Sequence, residues 1–515
     1  MIGPDVFSFE ALWHHYRDCR RNKRGTLNAL AFALDAEANL LALQAELRER
    51  SYRPGTSICF LTGGPKPREV FAADFRDRIV HHLLVHHQER VFEPRFIHDS
   101  YACRKGRGTL AASDRLMDFL RRATANGHRG AWALKLDVAS FFPSIHKETL
   151  YAILQRAIAH PELLWLTRTV LFHDPTADYR YCARPGGAPA PGGPGYPIPA
   201  TKSLFGKANV RGLPIGNLTS QFWANVYLNE LDQFVKRRLG CRLYLRYADD
   251  LVLLHGQPEV LAGWGEAVAA FLDERLSLRL RPGPNAPTPV RGGIDFVGWR
   301  TWWNHRLPRR RTLGNLQTRL DAFERRAVRP AFSGQARRIA LPGRGAACSV
   351  ERLHAVLASY SGLLRHGGAW RDWAAVWEQY PWLAALFERE GWDLTARWGG
   401  GELARVTSLS AQYCALLRHA GVDVLVFCQV GRFIELYGPQ RLLAQQTLGL
   451  KAALLPRAGF AFTAGFPRGL AGDYALRAIR AGLAVVQVDQ LPAEWQAGCR
   501  PRRPVAVLVP EPLSR

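Results

Sequence analysis

Apolar residues recur three or four positions apart over residues 6–52, for example at Phe9, Leu12 and Trp13, and this spacing predicts helices. Further along, apolar residues alternate with small or polar ones, or form short runs bounded by turn residues, which predicts strands. Strands are predicted at residues 131–138, at 243–254 as two strands joined by a very tight turn, and at 293–303. A long helix is predicted at residues 220–239.

A further helix is predicted at residues 79–92, and it contains His81, His82, His86 and His87. Histidines on one helix can bind a metal ion, but two adjacent pairs without a carboxylate partner are more typical of packing and polar surface. The sequence therefore favours a structural role for these histidines over a metal site.

The pattern changes twice in the second half of the chain. Residues from about 305 to 395 are predicted to be helical and are rich in arginine, with tryptophans at helical spacing. Three glycines at residues 399–401 then indicate a linker. From about residue 410 a new α/β pattern begins, with strands predicted at 422–429 and 483–488.

Composition and charge narrow the range of possible functions. At 515 residues the chain is long enough for two to four domains. Its 69 Lys and Arg against 44 Asp and Glu give a formal net charge of +25, which favours a polyanionic partner such as nucleic acid; a basic surface kept for solubility is the alternative. The nine cysteines form no CxxC pair, and no apolar run resembles a signal peptide or a membrane span. We therefore expect a reduced, cytoplasmic protein without membrane association.

The candidate chemistry lies in three aspartates. Asp249 and Asp250 fall in the predicted tight turn, with apolar residues on both sides, where charge is costly unless cations neutralise it. Asp137 ends the predicted strand at 131–138, so oxygen ligands from two strands can meet. Such ligands suit Mg²⁺, and two ions about 4 Å apart can activate a hydroxyl and stabilise a leaving oxygen.

An isolated Asp-Asp pair is more often an ordinary turn feature than a metal site. Here the apolar strands on both sides of Asp249 and Asp250, together with Asp137, favour the metal site. These three aspartates are therefore the predicted catalytic and metal-binding residues.

Three motifs, in this order along the chain, resemble those of reverse transcriptases. The segment Lys-Leu-Asp-Val-Ala-Ser-Phe-Phe around Asp137 is similar to the strand that carries their first metal ligand. Residues 212–221 resemble their template- and nucleotide-contacting motif, and residues 247–250, Tyr-Ala-Asp-Asp, resemble their catalytic hairpin. The agreement in both residue type and order makes the resemblance specific.

The resemblance extends beyond these motifs and implies a fold. Residues 66–78 and 98–104 are similar to the fingers of the family and residues 296–299 to its primer grip, so it covers most of residues 20–380. It implies an α/β right-hand polymerase with fingers, palm and helical thumb, followed by a small α/β domain. The expected boundaries are 1–130 for N-terminal helices and fingers, 131–304 for the palm with a Pro- and Gly-rich loop at 185–199, 305–395 for the thumb, 396–412 for a linker and 413–515 for the last module.

The resemblance also implies an RNA-directed DNA polymerase and a role for individual residues. Asp137 and Asp249 would bind two Mg²⁺ ions, for which Mn²⁺ can substitute, and Asp250 would support the site. The residues implied to bind the dNTP are Arg68 for the triphosphate, Phe142 to exclude a 2′-hydroxyl, Ile215 and Gly216. The residues implied to contact template or primer are Gln221, Tyr247, Gly298 and Trp299. The implied partners are template RNA, a cDNA or DNA primer and dNTPs, and an accessory protein is compatible with the family.

One segment departs from the family pattern. Reverse transcriptases commonly have a Lys after the catalytic hairpin that can protonate the leaving pyrophosphate. Residues 278–285 contain only Arg279 and Arg281 as basic residues, so the identity of the general acid is open.

The residues of the middle motif indicate which group of reverse transcriptases the chain resembles. Residues 215–221, Ile-Gly-Asn-Leu-Thr-Ser-Gln, with Lys-Ser-Leu-Phe at 202–205, resemble the enzymes of diversity-generating retroelements, which copy a template RNA with frequent errors at adenines. Many reverse transcriptases have Gln at the position of Ile215. An aliphatic side chain lacks the donors and acceptors that could fix the nascent pair, so we hypothesise low fidelity, with a packing role for Ile215 as the alternative. A domesticated antiviral enzyme and a non-catalytic nucleic-acid-binding protein are the rival functions.

The last hundred residues resemble the mismatch-recognition domain of MutS. Phe433 and Glu435 match its Phe-x-Glu, which stacks on and hydrogen-bonds a mispaired base. An aromatic wedge unstacks a base step at a cost of a few kcal/mol, least where pairing is poor. The module is therefore expected to sense mismatched or distorted duplex, with a core role for Phe433 as the alternative. The ATPase of MutS is not implied, because no GxxxxGK[ST] segment occurs.

Overall fold

The structure is a computed structural model. It describes residues 5–21, 26–62, 67–183, 190–191, 193, 195–343, 346, 348–398, 408–418, 420–421, 423–454, 459–491 and 500–511. The chain forms two compact units, of which the first comprises residues 1–297 and 301–305 and the second comprises residues 298–300 and 306–515.

The first unit contains ten α-helices within its described residues and two groups of strands. The helices are α1 Phe9–Arg20, α2 Leu27–Leu34, α3 Ala36–Arg48, α4 Phe75–Phe92, α5 Thr109–Thr124, α6 Phe141–Ser144, α7 Lys147–Gln155, α8 Pro161–Phe172, α9 Leu218–Gln233 and α10 Pro258–Leu276. The strands are β1 Ser57–Leu61, β2 Glu69–Ala72, β3 Trp132–Asp137, β4 Tyr179–Tyr181, β5 Tyr244–Tyr247, β6 Asp250–His255, β7 Thr288–Pro289 and β8 Ile294–Phe296. The predicted helix at 220–239 is α9, which continues into a π-helical turn at Phe234–Arg238.

The central sheet of this unit has the strand order β5-β6-β3-β7, and β3 pairs antiparallel with both of its neighbours. Alternate residues of β6 enter two different cores because successive side chains point to opposite faces of a strand. Leu251 and Leu253 join the core that contains α9 and α10, whereas Val252 and Leu254 join the core formed with α5. Burial on both faces explains the continuous apolar run in this strand.

A second sheet, with the order β2-β1-β4, lies beside the segment that precedes α9. Phe71 of β2 donates its backbone N–H to the carbonyl oxygen of Ile215 at 2.9 Å. Glu69 of the same strand is buried, and it accepts hydrogen bonds from the Ser203 hydroxyl at 2.8 Å and the Leu204 amide at 2.9 Å. The Lys-Ser-Leu-Phe segment is thus bonded to the edge strand of this sheet.

The second unit contains helices, two β-hairpins and a large sheet. Its described helices are α11 Arg310–Ala327, α12 Val350–His366, α13 Trp370–Gln379, α14 Leu383–Leu386, α15 Leu409–Leu417, α16 Gly438–Leu448 and α17 Ala471–Arg480. Its strands, including β9 at the boundary of the units, are β9 Trp299–Thr301, β10 Arg306–Pro308, β11 Val328–Ala331, β12 Ala336–Ala340, β13 Phe387–Glu390, β14 Asp393–Ala396, β15 Val424–Val430, β16 Phe433–Tyr437, β17 Ala452–Ala453, β18 Thr463–Pro467, β19 Ala484–Gln490 and β20 Arg502–Pro510.

One eight-stranded sheet spans this unit, in the order β11-β12-β20-β19-β15-β16-β18-β17. Strand β12 pairs antiparallel with β20 from Ala336↔Pro510 to Ala340↔Ala506. One face of the sheet shares a core with α11 and α12, and the other packs against α16 and α17. The residues expected to form the thumb and those expected to form the last module therefore fold around a common sheet.

Two sequence predictions are corrected by these elements. Residues 305–395 are not wholly helical, because they also contain the hairpins β11–β12 and β13–β14. The single strand predicted at 293–303 is two short strands, since Val297 and Gly298 adopt positive φ values of 40° and 101° and interrupt the extended backbone. Within the Pro- and Gly-rich loop at 185–199, residues 185–189, 192 and 194 lie outside the described residues. The glycines at 399–401 also lie outside them.

No helix in the described part of the chain has the length and apolar character needed to cross a membrane.

Candidate active site

The three predicted catalytic aspartates meet at one end of the central sheet. Strands β5 and β6 pair in register from Tyr244 to Tyr247, so that only Ala248 and Asp249 form the turn between them. Asp250 begins β6 and lies directly opposite Asp137, the last residue of β3. The amide of Val138 also donates to the carbonyl oxygen of Asp249 at 3.4 Å. The strand register therefore places the three carboxylates side by side.

A buried ion pair supports the turn that carries Asp249. Arg246 and Asp232 of α9 are both fully buried and are joined by Nη2–Oδ2 at 2.7 Å and Nε–Oδ1 at 2.9 Å. Arg246 Nη1 donates to the carbonyl oxygen of Ala248 at 3.0 Å, where the backbone adopts a positive φ of 52°. Its remaining donors reach Asn225 and Ser100. This network fixes the conformation of the catalytic turn.

The electrostatics of the site fit divalent cations. Burial, with the neighbouring charges of Asp137 and Asp250 acting in the same direction, raises the pKa of Asp249 to about 6. Burial also raises the pKa of Asp137, with Asp250 acting in the same direction and Arg281 opposing it. Each acid is therefore costly to ionise without a compensating positive charge, which is the demand that Mg²⁺ meets in a site of oxygen ligands.

Two basic side chains contact these acids in the structure. The guanidinium of Arg281 forms an ion pair with Asp137, and Lys135 Nζ lies 3.5 Å from Asp250 Oδ1. Among the described residues, the three catalytic carboxylates do not form a group whose ligand atoms all lie within 4.8 Å of one another. Cation binding would therefore require Asp137 to leave Arg281 and the carboxylates to rotate together. In this structure the Arg281 guanidinium is therefore the counter-ion of Asp137.

Strand β2 brings Arg68 toward the acids. Arg68 is exposed at the start of this strand, and its positive charge lowers the pKa of Asp249, against the larger effect of burial. Gly216 lies against the same strand with a φ of +121°, and a Cβ there would approach Val70 Cγ1 at 2.8 Å and Phe71 O at 2.9 Å. The glycine thus permits the close approach between the middle motif and β2.

Phe142 lies between the first catalytic strand and the middle motif. It follows Ser140, which adopts the left-handed conformation, and it is half-buried, whereas Phe141 points into the core. The carbonyl oxygen of Phe142 accepts from the Leu213 amide at 2.9 Å. The backbone on both sides of Phe142 is therefore fixed by hydrogen bonds and packing.

The remaining residues implied by the resemblance have varied surroundings. Ile215 and Tyr247 are half-buried, and Gln221 of α9 is exposed. Trp299 is buried in the second unit, where the Arg306 guanidinium stacks 5.2 Å from its ring, and it follows Gly298 at the positive-φ turn. Gln221 and Tyr247 thus belong to the first unit, and Gly298 and Trp299 to the second.

The two residues of the C-terminal motif differ in exposure. Phe433 begins β16 next to the Gly431 turn and is 51% exposed. Glu435 lies two positions further on the same face of the strand, but it is buried and accepts a hydrogen bond from the Tyr437 hydroxyl. The aromatic side chain is therefore available to a ligand, whereas the carboxylate is held inside the unit.

Several supporting residues were missed in the sequence. Asp232 and Glu69 give no local signal, and Arg246 gives only a weak one. The Ser100 partner of Arg246 lies 146 positions away and the Leu204 partner of Glu69 lies 135 positions away. The ion pair between Arg281 and Asp137 also has no local signal. A charged residue inside an apolar strand, as Arg246 is in β5, was the one available hint.

Comparison with known families agrees with this arrangement. Residues 64–282 match the family described as reverse transcriptase (RNA-dependent DNA polymerase), and this range includes Asp137, Asp249 and Asp250. Residues 407–510 match the family described as MutS domain I, and this range includes Phe433 and Glu435. The predicted fusion is confirmed, and the reverse transcriptase match confirms the right-hand polymerase fold with a further α/β domain.

Individual relatives are distant. The "Uncharacterized 91 kDa protein in cob intron" of Schizosaccharomyces pombe is 26% identical over 190 residues, which is 36% of this chain and 19% of that protein. Protein YkfC of Escherichia coli is 24% identical over 310 residues, which is 53% of this chain and 72% of that protein. The chain thus spans less than two thirds of the first relative. A solved telomerase from Candida albicans, in complex with a TWJ fragment of telomeric RNA, is 10% identical to this chain and has a TM-score of 0.33. The match covers 64% of this chain and 56% of that chain, and a likeness this low carries no argument.

Proposed function

We propose that this chain, which joins a reverse transcriptase domain to a MutS domain I, is an RNA-directed DNA polymerase that makes cDNA. The observation that carries the proposal is the strand register that sets Asp137 opposite Asp250, with Asp249 at the adjacent turn. Template RNA, a cDNA or DNA primer and dNTPs are the proposed partners, in keeping with the net charge of +25.

The proposed chemistry uses two Mg²⁺ ions. Asp137 and Asp249 would hold them, and Asp250 would lie at the edge of the site. Such ions lower the pKa of an attacking hydroxyl and neutralise charge on a leaving pyrophosphate. Until cations bind, Arg281 and Lys135 would balance the charges of Asp137 and Asp250, which they contact.

The nucleotide would bind between β2 and the catalytic turn. The exposed guanidinium of Arg68 would hold the triphosphate through charge-assisted hydrogen bonds. Phe142, half-buried and fixed by its neighbours, would pack under the sugar and exclude a 2′-hydroxyl. Gly216 supports this role for the middle motif, because it lets Ile215 bond to β2 beside Arg68.

Template and primer would be contacted by both units. Gln221 is exposed on α9 and Tyr247 precedes the turn at Ala248 and Asp249, which supports a contact between each of them and a nucleic acid strand that reaches the acids. Gly298 and Trp299 would belong to the primer grip, a role that rests on the resemblance of residues 296–299.

The C-terminal module would recognise distorted duplex through Phe433. Its exposed ring stands at a turn beside Arg432 and Arg468, which are also exposed and could contact phosphates on either side of an inserted wedge. Glu435 is buried and accepts a hydrogen bond from the Tyr437 hydroxyl, so it would hold the strand in place. It would contact a base only if duplex binding breaks this hydrogen bond. Since the module and the thumb helices share one sheet and core, duplex held by the thumb would lie against a body that also carries Phe433.

We further propose that the polymerase makes frequent errors opposite template adenines. Ile215 and the resemblance to diversity-generating enzymes motivate this proposal. The Ile215 side chain is half-buried and offers no hydrogen bond to a base or sugar. Sequencing cDNA made by the wild type and by Ile215→Gln tests it: fewer errors opposite adenine in the variant support it, and an unchanged error spectrum refutes it. A role in antiviral defence is the alternative for the same activity.

Primer extension tests the polymerase activity itself. The purified chain, a defined RNA template, a DNA primer, dNTPs and Mg²⁺ should give full-length cDNA. Asp249→Asn should abolish extension, whereas Asp273→Asn, at an exposed acid of α10, should not. If no extension occurs with Mg²⁺ or Mn²⁺ on any template, the non-catalytic binding protein becomes the better account.

A further inference from the structure

A cluster of histidines and one carboxylate lies where α1 packs against α4. The ligand atoms of His14, His15 and Asp18 all lie within 4.8 Å of one another, and among the described residues no other three acids, histidines or cysteines meet this condition. His14 and Asp18 are one helical turn apart and so share a face of α1. None of these residues belongs to the proposed polymerase site.

The spacing within the cluster matches tetrahedral metal coordination. His14 Nε2 lies 3.4 Å from Asp18 Oδ2. A tetrahedral Zn²⁺ with bonds of about 2.0–2.1 Å to nitrogen and oxygen holds its ligand atoms about 3.3 Å apart. These two atoms therefore already have the separation that a shared ion would impose.

The neighbouring helix supplies a further imidazole. The ring of His86, on α4, has its centroid 5.1 Å from that of His15 and 6.4 Å from that of His14. His86 is half-buried, so its ring can turn toward the cluster without unfolding the helix. Three imidazoles and one carboxylate then complete a coordination shell of four.

We propose that His14, His15, Asp18 and His86 bind one transition-metal ion, with Zn²⁺ as the first candidate, and that this ion joins α1 to α4. The site is separate from the proposed Mg²⁺ site and differs from it in chemistry, since imidazoles suit Zn²⁺, Cu²⁺ and Ni²⁺, whereas carboxylates alone suit Mg²⁺. Arg17 and Arg20 lie in the last turn of α1 and Arg21 caps it, so the surrounding positive charge opposes cation binding and the coordination bonds must outweigh it.

The orientation of the Asp18 carboxylate supports this assignment. The second oxygen of Asp18 lies 3.2 Å from Arg21 Nη2, an outer contact that holds the carboxylate in place. The local sequence of α4 does not indicate this site, because the carboxylate of the site, Asp18, comes from α1.

Metal binding by the full-length chain tests the proposal. Protein stripped with a chelator is titrated with Zn²⁺ in excess Mg²⁺, which occupies sites made of carboxylates alone, and bound zinc is measured by calorimetry and by elemental analysis after dialysis. Co²⁺ is added separately, since its visible spectrum reports tetrahedral coordination. The variants are His14→Ala with Asp18→Ala, His86→Gln, and the matched control His128→Gln at an exposed histidine of the same unit.

The expected result is one Zn²⁺ per chain for the wild type and for His128→Gln, with a higher melting temperature on binding and a tetrahedral Co²⁺ spectrum. Loss of stoichiometric binding is expected for the double variant and at least tenfold weaker binding for His86→Gln. His14 is mostly exposed, and the melting temperature of the stripped variants verifies that they fold. Absence of stoichiometric zinc in the wild type, or unchanged binding in the double variant, would overturn the proposal.

Discussion

Arg246 and Asp232 form an ion pair at 2.7 Å with both side chains fully buried, directly beneath the turn that carries Asp249. The Arg246 guanidinium also bonds to the carbonyl oxygen of Ala248 inside that turn. The pair therefore links the core of the first unit to the geometry of the turn at Ala248 and Asp249, and its removal should affect both stability and the proposed activity.

Asp232→Asn should lower the free energy of unfolding by about 3–5 kcal/mol, because it leaves the Arg246 charge buried and uncompensated. Replacing both residues together, as Asp232→Leu with Arg246→Met, should recover much of this stability, yet polymerase activity should stay low because the Ala248 carbonyl loses its donor. Chemical denaturation and primer extension measure the two effects. Full activity in the double variant would show that the ion pair has no part in positioning the turn.

Gly216→Ala should impair nucleotide binding. The new Cβ would meet the Phe71 carbonyl oxygen at 2.9 Å, so the middle motif must move away from β2, and the positive φ adds strain. We expect a rise in KM for dNTPs of at least tenfold. Gly240→Ala is the matched control, since Gly240 also has a positive φ but open space around its Cβ position. Equal effects of the two substitutions would mean that strain alone, and not contact with β2, limits the site.

The raised pKa of Asp249 makes stability depend on pH. Because its pKa of about 6 in the folded state exceeds the ordinary value of 3.8, the native state binds this proton more tightly, and stability falls as pH rises from about 3.8 to 6. Above pH 6, without divalent cations, Asp249→Asn should therefore be more stable than the wild type, by up to about 3 kcal/mol. Thermal melts at pH 5 and pH 8 measure the difference.

Added Mg²⁺ should reverse the order of stability at pH 8, since only the wild type retains the full set of ligands. If Asp249→Asn is less stable than the wild type at pH 8 without metal, burial of the ionised Asp249 carboxylate does not destabilise the folded state.

Phe433→Ala should weaken binding to mismatched duplex about tenfold while leaving matched duplex nearly unchanged. The ring is half-exposed, so its loss should alter the free energy of unfolding by less than about 0.5 kcal/mol. Leu470→Ala removes a similarly exposed apolar side chain of the same unit and should have no such effect. Fluorescence anisotropy with labelled duplexes makes the comparison, and equal loss on both duplexes would favour a general affinity role over mismatch recognition.

The β5–β6 hairpin could be predicted from the sequence because its signals are local. Apolar flanks predict buried strands, and two acids in the tight turn between them predict a cation site without reference to distant residues. The support of the site could not be predicted in the same way. Arg246 reaches Ser100 across 146 positions and Glu69 reaches Leu204 across 135, and only the folded chain brings these partners together.

The second unit shows the same limit. The strands β11 and β12 follow a clearly helical, arginine-rich segment, and their partner β20 begins more than 160 residues later, at Arg502. Pairing between strands so distant in the chain leaves no periodic pattern in the sequence. The sequence therefore cannot distinguish helices that form their own core from helices that share a sheet with the last module. The common core of α11, α12 and the sheet therefore became evident only in the structure.

The most direct test of the central claim is single-turnover incorporation of one dNTP on an RNA template, measured together with primer-template affinity, for the wild type and Asp137→Asn. The wild type should incorporate the complementary nucleotide in the presence of Mg²⁺. Asp137→Asn should bind the primer-template with similar affinity but incorporate at least a thousandfold more slowly, because Asp137 would hold the ions and would not contact the duplex. Incorporation that survives in Asp137→Asn would contradict the proposal that Asp137, Asp249 and Asp250 form the polymerase site.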